Sequence, residues 1–347
     1  EELGCSSGGG EQVEARPEAA TAPALDEAPK VGGETGLVEI VSLNPGTAET
    51  NADIALRWQG AAGVCVQEAR LDLQGQVGLR HEARRRNWSV QFGRPLPRQQ
   101  YVSAGQVSEA VRPGGVLCLG GLPANIRTKQ EYGEAIEAIL YDSRRWTKMN
   151  LPLGKGQNGL LVDNYYAGQT FDRESGIENA RQLRRLFLAA STRGPVPGLI
   201  CLDANVPLGT HAALLALMEE FGWYDAALMQ QELDGKAPEM TFSPAGDFGE
   251  PEGCTRIDGI LMNRKARELF HRFWCTNEGG LQHKQLHIQL RADLYDAPIT
   301  VASRPRAYPV AERIQLEKEA EEALAEAVWS RHQERIEEAL EAEVVDS

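Results

Sequence analysis

The sequence predicts an α/β protein, a sandwich in which mixed β-sheets pack with helices. Short apolar runs closed by turn residues recur along the chain, and helical stretches separate only some of them. A doubly wound parallel sheet would need strict strand–helix alternation, which this order lacks. With 347 residues, 42% hydrophobic and 25% charged, the chain can bury one large core or two ordinary ones.

Residues 1–36 are rich in Gly, Glu, Ala and Pro with almost no large apolar residue, and predict a disordered leader. "GLVEIVSLNPG" is a strand pattern ended by a Pro-Gly turn, followed by a helical stretch from Thr50 to Ala61 and the buried strand "GVCVQEARL". "WSVQFG" and "GGVLCLGG" predict strands, and "AIEAILYD" with "NGLLVDNYY" a further pair of them. Glu174 to Ser191 has helical spacing, with Ile177, Leu183, Leu186 and Phe187 on one side. "LICLDANVPLG" is the next strand, His211 to Phe221 the next helix, and "RIDGILMN" and "KQLHIQL" the last strands. From Val310 onward an acidic amphipathic helix is expected, with Ile314, Leu316, Leu324, Val328 and Ile336 among its apolar positions. The boundaries are a leader at 1–36, a domain at 37–303 and this helix at 304–347.

The net charge of −14 is unevenly placed: residues 1–36 carry −6 and residues 312–347 carry −8. The stretch between them is neutral, and within it "RHEARRR" (Arg80 to Arg86) and "RRWTK" (Arg144 to Lys148) are basic clusters able to meet phosphates or form solvated faces. The six cysteines are scattered without a CxxC pair, which argues against a zinc site or disulfide frame and for reduced, mostly buried thiols. No apolar run is long enough to cross a bilayer and no secretion signal is visible, so the expectation is an intracellular protein, nuclear or cytoplasmic. The chain opens on Glu1 rather than Met, and a longer parent is expected.

Gly154 to Gly159 matches GxGxxG, but a dinucleotide loop must follow a strand and open a helix. Here it precedes "LLVDNYY", so a hairpin turn is expected and no nucleotide cofactor. The strand ends carry more information. They bear Asn44, Gln67-Glu68, Asn164-Tyr165-Tyr166 and Asp203-Ala204-Asn205; Arg256-Ile257-Asp258 opens another strand and His283 precedes the last. Each alone suits a turn or cap. Together they place acids, amides, a phenol and an imidazole where α/β sheets gather active sites. That inventory suits metal-assisted attack of water on a phosphate ester.

In these residues the chain resembles the endonuclease/exonuclease/phosphatase superfamily, Mg²⁺-dependent phosphodiesterases that include abasic-site endonucleases. "SLNPG" resembles the first motif, whose Asn (Asn44 here) helps place the metal, and "VQEARL" the metal-binding Gln-Glu motif, with Glu68 as ligand. "VDNYYAG" resembles the motif that contributes a site tyrosine, Tyr166, with Gly168 where a Pro is usual. "LDANVP" resembles the Asp-x-Asn motif, implying that Asp203 activates water and Asn205 holds the phosphate. "TRIDGILM" resembles the motif whose acid, Asp258, orients a histidine, and "LQHKQLHIQL" the terminal motif with His283 facing the phosphate.

The resemblance spans about residues 37–303 and implies a four-layer α/β sandwich, two packed mixed sheets flanked by helices. It implies Mg²⁺, with Mn²⁺ as a substitute, and DNA as the partner, without a membrane. "WSVQFGRPLP" and "GGVLCL" resemble the retroelement-associated branch, in which a reverse transcriptase follows the endonuclease; the acidic helix would be the connector. Arg84, Arg85 and Arg86 are candidates for substrate phosphate. One departure is chemical: Gln282 stands where the superfamily has Asp before its histidine, implying weaker metal binding and impaired turnover. His287 is a second candidate for the histidine role, more simply a strand histidine; His81, His211 and His271 are expected to be structural. Trp88 and Trp146 could stack on bases or fill the core. The leading expectation is therefore a DNA endonuclease domain of a retroelement-like polyprotein. A degenerate domain that binds nucleic acid or protein without cleaving is the alternative, and a lipid or inositol phosphate hydrolase a further one.

Overall fold

The computed structural model describes residues 36–45, 60–103, 106–112, 114–121, 135–151, 153, 159–168, 172–249, 252–277 and 282–296. The leader at 1–36 (save its last residue), most of the helix expected at Thr50 to Ala61 and the acidic segment at 304–347 lie outside these residues.

The first sheet contains β1 (Leu37–Leu43), β2 (Gly63–Gln67), β3 (Trp88–Phe92), β6 (Val116–Gly121), β12 (Phe270–Thr276) and β13 (Gln285–Arg291), in the order β12-β13-β1-β2-β6-β3. The second holds β7 (Trp146–Leu151), β8 (Leu160–Tyr166), β9 (Gly198–Asp203), β10 (Trp223–Asp225) and β11 (Asp258–Asn263), in the order β10-β11-β9-β8-β7. β4 (Arg98–Ser103) and β5 (Gln106–Val111) form a separate hairpin. Both large sheets are mixed: β1 runs parallel to β2 and β8 parallel to β9, while their other pairings are antiparallel.

Three apolar clusters show how the layers stack. Val38, Ile40, Cys65 and Ile288 of the first sheet meet Met149, Val162, Cys201 and Ile260 of the second, forming the central core. Helix α1 (Leu73–Arg85) lays Leu79 and Ala83 on the outer face of the first sheet. On the outer face of the second lie α2 (Ala135–Asp142), α3 (Arg173–Ser191) and α4 (Ala212–Phe221), through Leu140, Leu183, Phe187, Leu214 and Leu217. The arrangement is helix, sheet, sheet, helix, as the resemblance implied. Two short helices, α5 (Ala226–Asp234) and α6 (Arg264–Glu268), complete the regular elements with a 3₁₀ turn at Ala292–Asp296.

Two local expectations are corrected. "AIEAILYD" is the helix α2, not a strand: Ala, Glu and Leu favour helix, and its buried side chains fall at helical spacing, Glu137 and Leu140. The antiparallel neighbour of "LLVDNYY" is "WTKMNL", which begins within the second basic cluster and runs beyond it. Residues 154–158 of the GxGxxG string lie outside the described residues, but the strands on either side are antiparallel neighbours with Leu151 opposite Leu160. Gly159 passes so near Leu151 that a Cβ would stand 2.1 Å from its carbonyl oxygen, so only glycine fits there.

Asn164 ties the sheets together. From β8 its side-chain Nδ2 donates to the carbonyls of Val66 (2.9 Å) and Leu117 (2.8 Å) in the opposite sheet, and its Oδ1 accepts from Gln67 Nε2 at 2.6 Å. All of this is buried, so each bond is made without competition from water.

Candidate active site

The ends of β1, β2, β8 and β9 and the start of β11 converge at one end of the sandwich. Asp203 closes β9, is fully buried, and stands opposite Asp258 across the β9–β11 pairing. Its Oδ2 accepts from Asn44 Nδ2 at 2.8 Å, a bond from one sheet end to the other. Its Oδ1 accepts from the backbone N–H of Asn205 at 3.1 Å, a turn that sets Asn205 in the left-handed region at φ 50. The Asn205 amide then donates to the carbonyl of Ala167 at 2.9 Å. That bond uses one of the two N–H donors of the amide, and the phosphate-binding role expected of Asn205 would fall to the other.

His283 lies against Asp258, with Nδ1 3.0 Å from Oδ2 and 3.1 Å from Oδ1. Three ligand atoms, one each from Asp203, Asp258 and His283, fall within 4.8 Å of one another, a geometry that can hold a metal ion. Burial and the neighbouring charge of Asp258 push Asp203 up to about 7, against the opposing effects of His283, Asn44 and the Asn205 N–H. Burial works against a charged imidazole, yet the charge and hydrogen bond of Asp258, with the charges of Asp203 and Glu68, raise His283 to about 9. At neutral pH His283 is thus a cation held on Asp258, while Asp203 is poised to exchange a proton.

Glu68 leaves β2 with a left-handed backbone, φ 49, and takes two donors on its carboxylate. Tyr166 Oη donates to Oε1 at 2.6 Å and Arg70 Nη2 to Oε2 at 2.7 Å. Burial and Glu68 push the Tyr166 phenol far up, so it stays a neutral donor. Arg145 lies over the Tyr166 ring at 5.2 Å and donates from Nη1 to the Ala167 carbonyl at 2.8 Å. Where the superfamily has Pro, Gly168 donates its backbone N–H to Asn179 Oδ1 at 3.2 Å, a bond Pro could not make.

The structure thus gathers Asn44, Glu68, Tyr166, Asp203, Asn205, Asp258 and His283. It does not gather Arg84, Arg85 and Arg86. These end α1, which starts beside the site and runs 13 residues, roughly 20 Å, to the opposite end of the first sheet. Arg85 and Arg86 pair there with Glu82. Of the second cluster, only Arg145 reaches the site; Lys148 is buried on Glu137 at 2.6 Å, beside the Arg193–Asp163 pair. Trp88 and Trp146 are core residues, Trp146 donating to Asp163 at 2.9 Å. His287 bridges Glu39 and Thr276 within the sheet, and His211 caps α4. Cys65, Cys118 and Cys201 are buried and free.

Gln282 is exposed, and its amide donates to the Pro244 carbonyl at 2.7 Å. A hard dication still finds oxygen donors of the right kind in the Glu68 carboxylate and the Asn44 side chain. The Glu68 oxygens accept from Tyr166 and from Arg70, and a carboxylate oxygen has lone-pair capacity for more than one partner. The set fits such an ion in chemistry, at lower charge than two carboxylates would supply.

Three residues of the site were not foreseen. Thr241 Oγ1 accepts from the backbone N–H of Ile257 (3.1 Å) and Asp258 (3.0 Å), fixing where β11 begins. Phe242 sets its ring 4.8 Å from that of His283 and bridges to it by backbone. Arg70 is the third. "TFSP" carries no periodic signal, and Arg70 has no signal of its own beside the Gln-Glu motif.

No family model and no curated protein sequence matches the chain. Among solved structures it is similar to an AP endonuclease from Archaeoglobus fulgidus, at 17% identity and TM-score 0.52, over 72% of this chain and 98% of that one. It is similar to the 3′ phosphatase NExo from Neisseria bound to a product DNA hairpin, at 12% identity and TM-score 0.52, over 73% and 99%. An endonuclease/exonuclease/phosphatase from Beutenbergia cavernae aligns at 14% identity and TM-score 0.50, over 74% and 71%. Identities this low speak to architecture, and the architecture agrees with the layers and strand ends described above: the chain has the endonuclease/exonuclease/phosphatase fold.

Proposed function

We propose that this chain hydrolyses a phosphodiester bond of DNA. The observation that carries the reading is the convergence of Asp203 with the Asp258–His283 pair within 4.8 Å at the mouth of the two sheets. Asp203 accepts a proton from the attacking water, whose oxygen forms the new bond to phosphorus as the bond to the leaving oxygen breaks; that oxygen takes its proton from solvent. Asn44 and the Asn205 N–H hold Asp203 in place for this. The His283 imidazolium, anchored through Nδ1 on Asp258, presents its other nitrogen to the phosphate as charge accumulates. Mg²⁺ or Mn²⁺, held by Glu68 and Asn44, would supply positive charge to a phosphoryl oxygen. Tyr166 and Arg145 keep the Glu68 and Ala167 corners of the site together.

DNA is favoured as substrate because one similar protein is held with a DNA hairpin. The retroelement assignment, with a reverse transcriptase downstream and a nuclear or cytoplasmic setting, rests on the resemblance of "WSVQFGRPLP" and "GGVLCL". Among the described residues no helix is long and apolar enough to cross a membrane. The second reading, a domain that binds without cleaving, is favoured by the exposed Gln282 turned to Pro244.

Nicking of supercoiled plasmid with and without Mg²⁺ separates these readings. Metal-dependent nicking that falls about a thousandfold in Asp203→Ala supports the hydrolase. Activity appearing only in Gln282→Asp identifies a disabled enzyme on an intact scaffold. Silence from native chain and variants sinks cleavage of DNA and directs the same assay to lipid and inositol phosphates.

A further inference from the structure

The Glu68 carboxylate already has a cation. Arg70 Nη2 is 2.7 Å from Oε2, with the Glu68 side chain 11% and the Arg70 side chain 26% exposed. The pair is imposed by the backbone. Glu68 and Arg70 are both left-handed, at φ 49 and 47, a conformation that costs non-glycine residues about 1 kcal/mol or more each and persists only where surroundings enforce it. The enforcing partner is the loop before β6: Ala69 N–H donates to the Gly115 carbonyl at 3.1 Å and Arg70 N–H to that of Gly114 at 2.9 Å. Gly114 and Gly115 are themselves at φ 110 and 80, which side-chain-bearing residues rarely adopt. Arg70 Nε is buried and has no hydrogen-bond partner among the described residues, so Glu68 is the side-chain partner shown for this guanidinium.

We propose that Arg70 is the resident counter-cation of Glu68 and sets the cation affinity of the site, because guanidinium and divalent ion compete for the same carboxylate. The inference rests on the reading of Glu68 as the cation-holding acid. An ion held by Glu68 would share that carboxylate with Tyr166 on Oε1 and with Arg70 on Oε2, and the fixed positive charge of Arg70 a few ångströms away opposes it. Gln282, turned to Pro244, supplies no opposing negative charge. The site therefore takes a divalent ion weakly. On loading, the guanidinium gives up Oε2 and becomes a donor for a phosphate oxygen brought in with the substrate.

Direct binding of Mn²⁺, read by electron paramagnetic resonance of the free ion, tests this without any turnover. Arg70→Gln is expected to bind Mn²⁺ roughly tenfold more tightly than the native chain, and Glu68→Gln to lose binding. Arg70→Lys, which keeps the charge on a looser, more hydrated group, should fall between native and Arg70→Gln, and decides the matter if Arg70→Gln does not fold. Equal or weaker binding in the folded Arg70 variants overturns the proposal, as does an absence of binding in native and variants alike. A chain that follows the expected order but never nicks DNA keeps the competition and loses the phosphodiesterase reading. A chain that nicks while Arg70→Gln binds no more tightly does the reverse.

Discussion

The Asp258–His283 pair gives the site its pH dependence. Burial favours the neutral imidazole, but Asp258 together with the charges of Asp203 and Glu68 outweighs it, so the ring loses its proton only at about 9, above the ordinary 6.5. The sign follows: the stability this pair contributes is complete below 6.5 and is lost as the pH rises through 9. Activity that needs Asp203 ionised and His283 protonated should rise near pH 7 and fall near pH 9, a bell seen in the pH dependence of nicking. Asp258→Asn should move the imidazole titration, followed by proton NMR, from about 9 back toward 6.5 and shift the alkaline limb with it. A ring still titrating near 9 in that variant would contradict this account. At this scale the sequence was informative about residue type, and the resemblance implied one partnership, Asp258 with a histidine, but not the others. Asp203 and Asn205 stood two apart at a strand end, but that the Asn205 amide goes to Ala167 follows from where β8 ends beside β9.

Among the elements, α1 shows how a motif can be displaced by its own secondary structure. Asp72 caps it, accepting from Gly75 N–H at 2.8 Å, and the basic residues gather in its last turn, where they meet the negative end of the helix dipole. The run "RHEARRR" therefore stabilises a helix end remote from Glu68. Replacing Arg84, Arg85 and Arg86 together by Gln should leave plasmid nicking within about twofold of native, since exposed charges far from the reacting groups act weakly. Arg145→Ala, which removes the bond to Ala167 and the contact with the Tyr166 ring, should cost roughly tenfold. The reverse ranking would return the arginine triplet to the substrate path. "AIEAILYD" was misread for a related reason: eight residues hold about two helical turns, too few for an apolar run to reveal its period.

For the whole molecule, the fold depends on two sheets meeting at a fixed distance and angle, and Asn164 is the polar clamp between them. Asn164→Leu would strip partners from the Val66 and Leu117 carbonyls and from the Gln67 amide in a fully buried setting. We expect unfolding in urea to lose about 3 kcal/mol with an unchanged m value, and the strand-end constellation to loosen with it. A loss below about 1 kcal/mol would show that apolar packing alone sets the spacing. Much of the architecture was legible in advance, because apolar runs, turn residues and helix caps are local signals written within a few residues. By itself the sequence determined the α/β class and the chemical types waiting at the strand ends. Only the tertiary structure decided which of them touch. The bond from Asn44 to Asp203 spans 159 positions of chain, and the Arg70–Glu68 pair depends on two glycines of another loop. Such contacts are set by packing between sheets, which no short stretch of sequence encodes.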